Sequence, residues 1–187
     1  MQNDSPVVRD VVLVGGGHAH ALVARMWAMA PLPGAGVTLI NPGPAAPYTG
    51  MLPGLIAGHY RRDEIMIDLV RLARFAGARL ILDRAVGLDT AARQVLLQGR
   101  PPLRYDVASI DIGIGSGLPD VPGFADHATA AKPLGDYAAA WERFVARGLA
   151  FPRVAVIGGG LGGGGRALGS AHRRRSAGAR PKGAPVE

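Results

Sequence analysis

Two glycine clusters carry most of the chemistry this sequence can offer. Gly15 and Gly17 follow the apolar run Val11–Val14, and Gly158, Gly160 and Gly163 follow the apolar run Val154–Ile157. The spacing G-x-G-x-x-G between a strand and a helix lets the backbone turn tightly. It also lets free amides at the helix start receive a pyrophosphate, because only glycine allows so close an approach. The second cluster matches this spacing in full. In the first, His20 stands where the third glycine belongs, and it would hold helix and strand further apart or point its ring outward. Asn41 stands at the end of the second strand, where an acidic residue for the ribose is expected. An amide can still hydrogen-bond a hydroxyl, with less charge assistance. The first cluster is therefore open to two readings, a dinucleotide site and an ordinary tight strand-to-helix turn.

Other chemistries are excluded or weakly supported. The chain has no cysteine, which removes disulfides, thiolate zinc sites, a cysteine nucleophile and a redox dithiol. His18 and His20 are two apart on an expected helix and do not share a face, and no carboxylate or third histidine stands nearby to complete a metal site. Local packing and phosphate-side contacts are the expectation for both, and no metal is expected.

The elements that must position the glycines alternate between strand and helix, which argues for an α/β fold with a mainly parallel sheet. Val11–Val14 reads as a strand buried on both faces, followed by a helix from His18 to Ala30 that Pro31 and Pro33 end. Val37–Ile40 is a second strand. The stretch NPGPAAPYTGMLPGLIAGHY has no period and is too rich in Pro and Gly to expect regular structure. Ile65, Leu69, Leu72, Ala73 and Ala76 fall at helical spacing, so a helix ends at Gly77 and begins at Asp63 or at the N-cap candidate Asp68. Arg79–Leu82 is a third strand. Residues 85–112 contain short strands in RAVGLD, RQVLL and VASIDI, with a turn at Gly99–Pro102, and a small antiparallel β element is expected beside the main sheet. VVLVGGG near the start returns as VAVIGGG near the end.

With 187 residues and 48% hydrophobic content the chain can bury an ordinary core. The net charge of +7 suggests nucleic acid only until it is located. Arg166, Arg173, Arg174, Arg175, Arg180 and Lys182 stand against Glu187 in the last 22 residues, a net of +5, which leaves +2 for residues 1–165. The basicity belongs to a tail whose Gly, Ala, Pro and Arg cannot bury enough surface to offset the entropy of ordering. The expectation for 166–187 is a disordered, solvated tail with no specific nucleic-acid partner. No basic leader precedes an apolar stretch, and no apolar run approaches the roughly 18 residues of a membrane span. A soluble cytoplasmic chain is expected.

Five stretches occur in a telling order: GGGHAH, PYTGMLPGLIAGHY, YDVASIDIG, VPG and AAKPLGDY. Together they resemble the FAD-dependent pyridine nucleotide-disulfide oxidoreductase superfamily. The likeness is greatest to the branch related to type II NADH dehydrogenases that also occurs fused ahead of selenide, water dikinase, and it covers residues 7 to about 163. This resemblance implies a Rossmann-like FAD/NAD(P)-binding flavoprotein fold and hydride transfer from NAD(P)H to FAD, then to an unnamed small-molecule acceptor. Gly15, Gly16, Gly17 and His18 would form the turn against the FAD pyrophosphate, with Asn41 near the adenosine ribose. Tyr48, Thr49, Gly50 and Met51 would lie along the flavin ring. Val86 would offer a backbone contact to adenine, Tyr105, Asp106 and Gly113 would lead back to the flavin, and Lys132 before Pro133 would favour the anionic reduced flavin. The plainer alternatives are a tight turn at Tyr48–Met51, a cap at Asp106 and a solvated charge at Lys132.

On the same resemblance, residues 1–150 would be the first portion of a FAD-binding domain and 151–165 the start of an incomplete NAD(P)-binding domain, with Gly158, Gly160 and Gly163 at its phosphate turn. Gly164 and Gly165 then fall where a helix would start, at about 1 kcal/mol each relative to Ala. The change to Arg, Gly, Ala and Pro beyond them reads as a truncated or frame-shifted end. The expected function is thus the FAD-binding portion of a flavin-dependent oxidoreductase, impaired by truncation. The alternative is a non-catalytic nucleotide-binding remnant.

Overall fold

The computed structural model describes residues 6–113, 122–149, 153–157, 165 and 167–173. The chain divides into two compact units, one of Met1–Pro47 with Met66–Ile114, the other of Tyr48–Ile65 with Gly115–Glu187.

In the first unit, β1 (Arg9–Val14) leads through a glycine turn into α1 (His18–Met29) and then to β2 (Ala35–Asn41) and β3 (Ala45–Pro47). In the second unit lies α2 (Leu52–Ala57); the chain returns to the first with β4 (Met66–Asp68), α3 (Leu69–Ala76) and β5 (Arg79–Leu82). Three short strands follow, β6 (Ala85–Asp89), β7 (Gln94–Leu97) and β8 (Leu103–Arg104), before β9 (Val107–Ile110). The remaining helices are α4 (Phe124–His127) and α5 (Leu134–Ala146), both in the second unit.

The main sheet is parallel in the order β5-β2-β1-β9, with Val11 opposite Val37 on one side and Val107 on the other. Alternation along β1 explains why its whole run is apolar. Leu13 faces one layer with Leu39, Leu69, Trp27 and Leu72, the side covered by α1 and α3, which pack on each other. Val12 and Val14 face the opposite layer with Ile40, Ile81 and Val95, where the antiparallel sheet β6-β7-β8 lies. A parallel strand buried on both faces needs such a run. The fold is α/β of the Rossmann-like FAD/NAD(P)-binding type, with small antiparallel additions.

Several expectations are met with adjusted limits. The helix after Ile65 starts at Leu69, because Asp68 caps it by accepting from the Arg71 amide at 2.9 Å, and it stops at Gly77. VASIDI is a strand, in the parallel sheet beside β1, and the antiparallel element is β6-β7-β8.

The stretch expected to lack regular structure holds β3, a 3-10 turn at Thr49–Met51 and α2. Pro53 sits in the first turn of α2, where a missing N–H costs nothing. Gly58, at φ 86°, closes the helix in the left-handed conformation, with the His59 amide bonded back to the Gly54 carbonyl at 2.9 Å. Leu52, Leu55 and Ile56 then form an apolar stripe against Leu134, Ala138 and Trp141 of α5. Both Pro and Gly thus serve helix ends here.

Within the stretch expected to be a disordered tail, 167–173 are helical and Ser170 is buried. Gly169 allows this, since a Cβ there would stand 2.9 Å from the Pro53 carbonyl oxygen and 3.3 Å from Ile56. The run Val154–Ile157, expected as a strand, has no regular structure, and Ile157 is 63% exposed. A parallel strand is held by its neighbours, and no strand of the described residues pairs with it. Among the described residues no helix is long and apolar enough to cross a membrane.

Two substitutions test this packing by thermal or denaturant unfolding. Leu69→Ala, at a fully buried side chain, should cost about 2–5 kcal/mol, whereas Phe75→Ala on the exposed face of the same helix should change stability by roughly 0.5 kcal/mol or less. Gly169→Val should destabilise the second unit by about 1–3 kcal/mol. An unchanged midpoint for Gly169→Val would mean that 167–173 do not pack on α2.

Candidate nucleotide-phosphate turn

The turn after β1 lies where the strand order reverses, between β1 and β9, at their carboxyl ends. Its first residue, Gly15, has φ 98°, a left-handed value that side chains rarely adopt. The Gly15 amide donates to the Ile40 carbonyl at 2.8 Å and so continues the β1–β2 ladder into the turn. The Gly16 amide donates to Oδ1 of Asn41 at 3.0 Å, and Nδ2 of Asn41 donates to the Gly43 carbonyl at 2.7 Å. Asn41 therefore ties the end of β2 to the turn. Gly17, in extended conformation, is the N-cap of α1.

Each of the three glycines has a steric reason inside the protein. A Cβ on Gly15 would overlap the Asp111 carbonyl, one on Gly16 would overlap Leu69, and one on Gly17 would overlap the Asp111 carboxylate. Close packing of turn, β9 and α3 thus accounts for the glycines by itself.

His20 neither opens the helix from the strand nor points outward. It is 3% exposed, with Nδ1 2.8 Å from the Gly15 carbonyl oxygen and Nε2 2.9 Å from Oγ of Ser109. A carbonyl can only accept, so Nδ1 carries the proton, and in the neutral ring Nε2 accepts from the Ser109 hydroxyl. The His20 amide donates to Oδ2 of Asp111 at 3.1 Å. Ser109 and Asp111, two apart on β9 and just beyond it, reach the same residue of α1.

The other expected residues are spread over both units. Val86, on β6, is exposed, and Gly113 is exposed just beyond β9, where a Cβ would meet none of the described residues within 4 Å. Tyr48, Thr49, Gly50 and Met51 lie in the second unit, where the Tyr48 amide donates to the Ile65 carbonyl at 2.8 Å and Gly50 packs against the Tyr48 ring. Lys132 is half-buried in that unit. Gly158, Gly160 and Gly163 lie outside the described residues. Asp106 ties the entry to β9 to β1: its Oδ2 accepts from the Asp10 amide at 2.7 Å and its amide donates to the Asp10 carbonyl at 2.9 Å. With Asp10, Arg93, Arg104 and Tyr105 it lines a polar depression of about 290 Å³ at the opposite end of β1 from the glycine turn. Among the described residues the perturbed ionisable pair is elsewhere, at Arg61 and Asp63, where the Arg61 hydrogen bond holds the Asp63 carboxyl below its ordinary range.

No protein-family model matches the chain, and no curated protein does. Solved structures do. The chain is similar to CoADR-RHD of Bacillus anthracis at 20% identity and TM-score 0.75, over 91% of this chain and 32% of that one. It is similar to a ferredoxin reductase of Rhodopseudomonas palustris at 24% identity and TM-score 0.72, over 91% and 41%. Against the NADH:rubredoxin oxidoreductase of Clostridium acetobutylicum the values are 22% and 0.68, over 88% and 42%. These likenesses establish the fold. The chain spans about a third to two-fifths of the length of these structures.

Ser109 and Asp111 meet the turn without having been singled out in the sequence, and Leu69, which packs on Gly16, is read there only as an apolar position of its helix. Substituting Gly17 by Ala should destabilise the protein by about 1–3 kcal/mol in chemical denaturation, while Gly113→Ala, with no atom of the described residues within 4 Å of the new methyl, should change it little. Equal effects at the two positions would refute the close approach of Asp111 to Gly17.

Proposed function

We propose that this chain is the FAD-binding portion of a flavin-dependent NAD(P)H oxidoreductase, acting on a small-molecule electron acceptor. The observation that carries the reading is the strand–turn–helix at the point where the sheet order reverses, with left-handed Gly15 at its start and Asn41 bound to its second amide. The order of GGGHAH, PYTGMLPGLIAGHY and YDVASIDIG, and the fold shared with solved reductases, support the same reading.

The residues present fit a bound dinucleotide at the backbone level. Gly15 and Gly16 bring main chain, not side chains, to the mouth of the turn, and α1 directs its amino-terminal end there. Asn41, Tyr48, Thr49, Gly50, Met51, Val86, Gly113 and Lys132 are the residues proposed to hold the rest of FAD, and His18 to stand beside its diphosphate. When bound, the flavin would accept a hydride from NAD(P)H and pass the electrons on. The chain's own part is to orient the cofactor and exclude water, with His20 and Ser109 fixing the Gly15 carbonyl so that the turn keeps its shape. We propose the domain division of the sequence reading for residues 1–150 and 151–165 as well.

A non-catalytic nucleotide-binding chain is the second reading, and one observation favours it. The run Val154–Ile157, which would open the NAD(P)-binding domain, is irregular and exposed. Hydride transfer needs the nicotinamide held against the flavin, and such positioning accounts for about 7–11 kcal/mol of a barrier.

Titration of the purified chain with FAD and with NADH, followed by flavin fluorescence and calorimetry, should give the tighter binding for FAD. Gly15→Val should weaken FAD binding by at least about tenfold while the circular dichroism stays that of an α/β protein. Tighter binding of NADH, or FAD binding indifferent to Gly15→Val, would overturn the proposal. Sustained saturable NADH oxidation would overturn the non-catalytic reading.

A further inference from the structure

Asp111 lies at the mouth of the turn and is the one acidic side chain that the described structure places on the start of α1. Its backbone is fixed by the sheet, since its amide donates to the Val14 carbonyl at 2.8 Å. Its Oδ2 accepts from the His20 amide at 3.1 Å, in the first turn of α1. The carboxylate also presses on Gly17 so closely that any side chain there would overlap it. Among the described residues no lysine or arginine forms an ion pair with it. Its negative charge is therefore met by the amino-terminal end of the helix.

The amides at that end of a helix are also what a dinucleotide phosphate would use. A carboxylate there satisfies an amide and the helix dipole, so the ligand-free turn is already served by an anion of its own. A phosphate arriving at the same amides meets that negative charge in a partly buried setting, where repulsion is poorly screened.

We propose that Asp111 sets the phosphate affinity of the glycine turn: its carboxylate acts as an internal anion on the amino-terminal end of α1, and a dinucleotide phosphate binds there by displacing it. This inference rests on reading the turn as phosphate-receiving. It gives Asp111 two opposed effects, stabilising the ligand-free protein and weakening nucleotide binding. A residue with a merely structural role would not oppose them.

The test compares the full wild-type chain with Asp111→Asn, Asp111→Ala and Asp111→Glu. FAD and inorganic pyrophosphate are titrated separately by calorimetry, and unfolding is followed without ligand. Asn and Ala should lower the ligand-free unfolding midpoint yet tighten FAD binding roughly tenfold, with a parallel gain for pyrophosphate. Glu, which keeps the charge, should show no gain for either ligand. If wild type binds FAD and neither Asn nor Ala binds it more tightly, the proposal is overturned and the FAD reading stands. If no variant binds FAD but Asn and Ala gain pyrophosphate binding, the proposal stands and the FAD reading falls. If none binds either ligand, both fall. Asn is nearly isosteric with Asp and keeps the comparison valid should Ala fail to fold.

Discussion

The joint between β9 and the start of α1 is the constraint on which the rest of the first unit depends. Two residues of the β9 segment reach one residue of the helix: Ser109 meets the His20 ring and Asp111 meets the His20 amide. The same ring holds the Gly15 carbonyl, so strand, turn and helix are fixed through a single buried side chain. β9 is parallel to β1 and far from it in sequence, and nothing but tertiary contact places it there. Once it is placed, the left-handed Gly15, the extended Gly17 and the direction of α1 follow. A buried polar network of this kind has a definite arrangement because each member is satisfied only by the others.

That joint changes what the glycines mean. A glycine-rich turn is usually read from outside, as room for a ligand's phosphates. Here the room is claimed from inside, by the Asp111 backbone at Gly15, by Leu69 at Gly16 and by the Asp111 carboxylate at Gly17. The spacing is thus necessary for packing whether or not a nucleotide binds. The case for a nucleotide has to come from the amides and from their charge, and it is on charge that Asp111 acts.

What the sequence disclosed depended on how local the physics was. β1, α1, β2, α3 and β5 were legible because a two-sided strand needs a continuous apolar run and because Asp68 and Gly77 are end signals for α3. α2 was not, since Pro53 and Gly54 suggest a loop unless one knows that Pro occupies the first turn and that Leu52, Leu55 and Ile56 meet α5 across the chain. The helix at 167–173 was hidden for a similar reason: small residues are poor evidence for a buried surface until a partner such as α2 is present to use their smallness. Val154–Ile157 failed in the opposite direction, having the composition of a strand without a described neighbour to pair with. Of the site, the turn glycines and Asn41 could be found by spacing. For His20 local packing could be expected but not its partners, and Ser109 and Asp111 were out of reach because their role exists only across the sheet.

The likeness to solved reductases has to be weighed against this. Identities of 20–24% with TM-scores of 0.68–0.75 place the chain securely in a fold, and a fold of this kind hosts many chemistries. The function must then be argued from side chains. At this turn the sequence departs from the dinucleotide pattern twice, with His20 for a glycine and Asn41 for an acid, and both departures have the same structural effect. Each holds the turn to its own protein, His20 to β9 and Asn41 to the backbone at Gly16 and Gly43. Asp111 completes the pattern by supplying an anion from within. A turn so thoroughly bound to its own chain keeps its shape without a ligand, and any nucleotide it accepts must compete with the contacts that shape it.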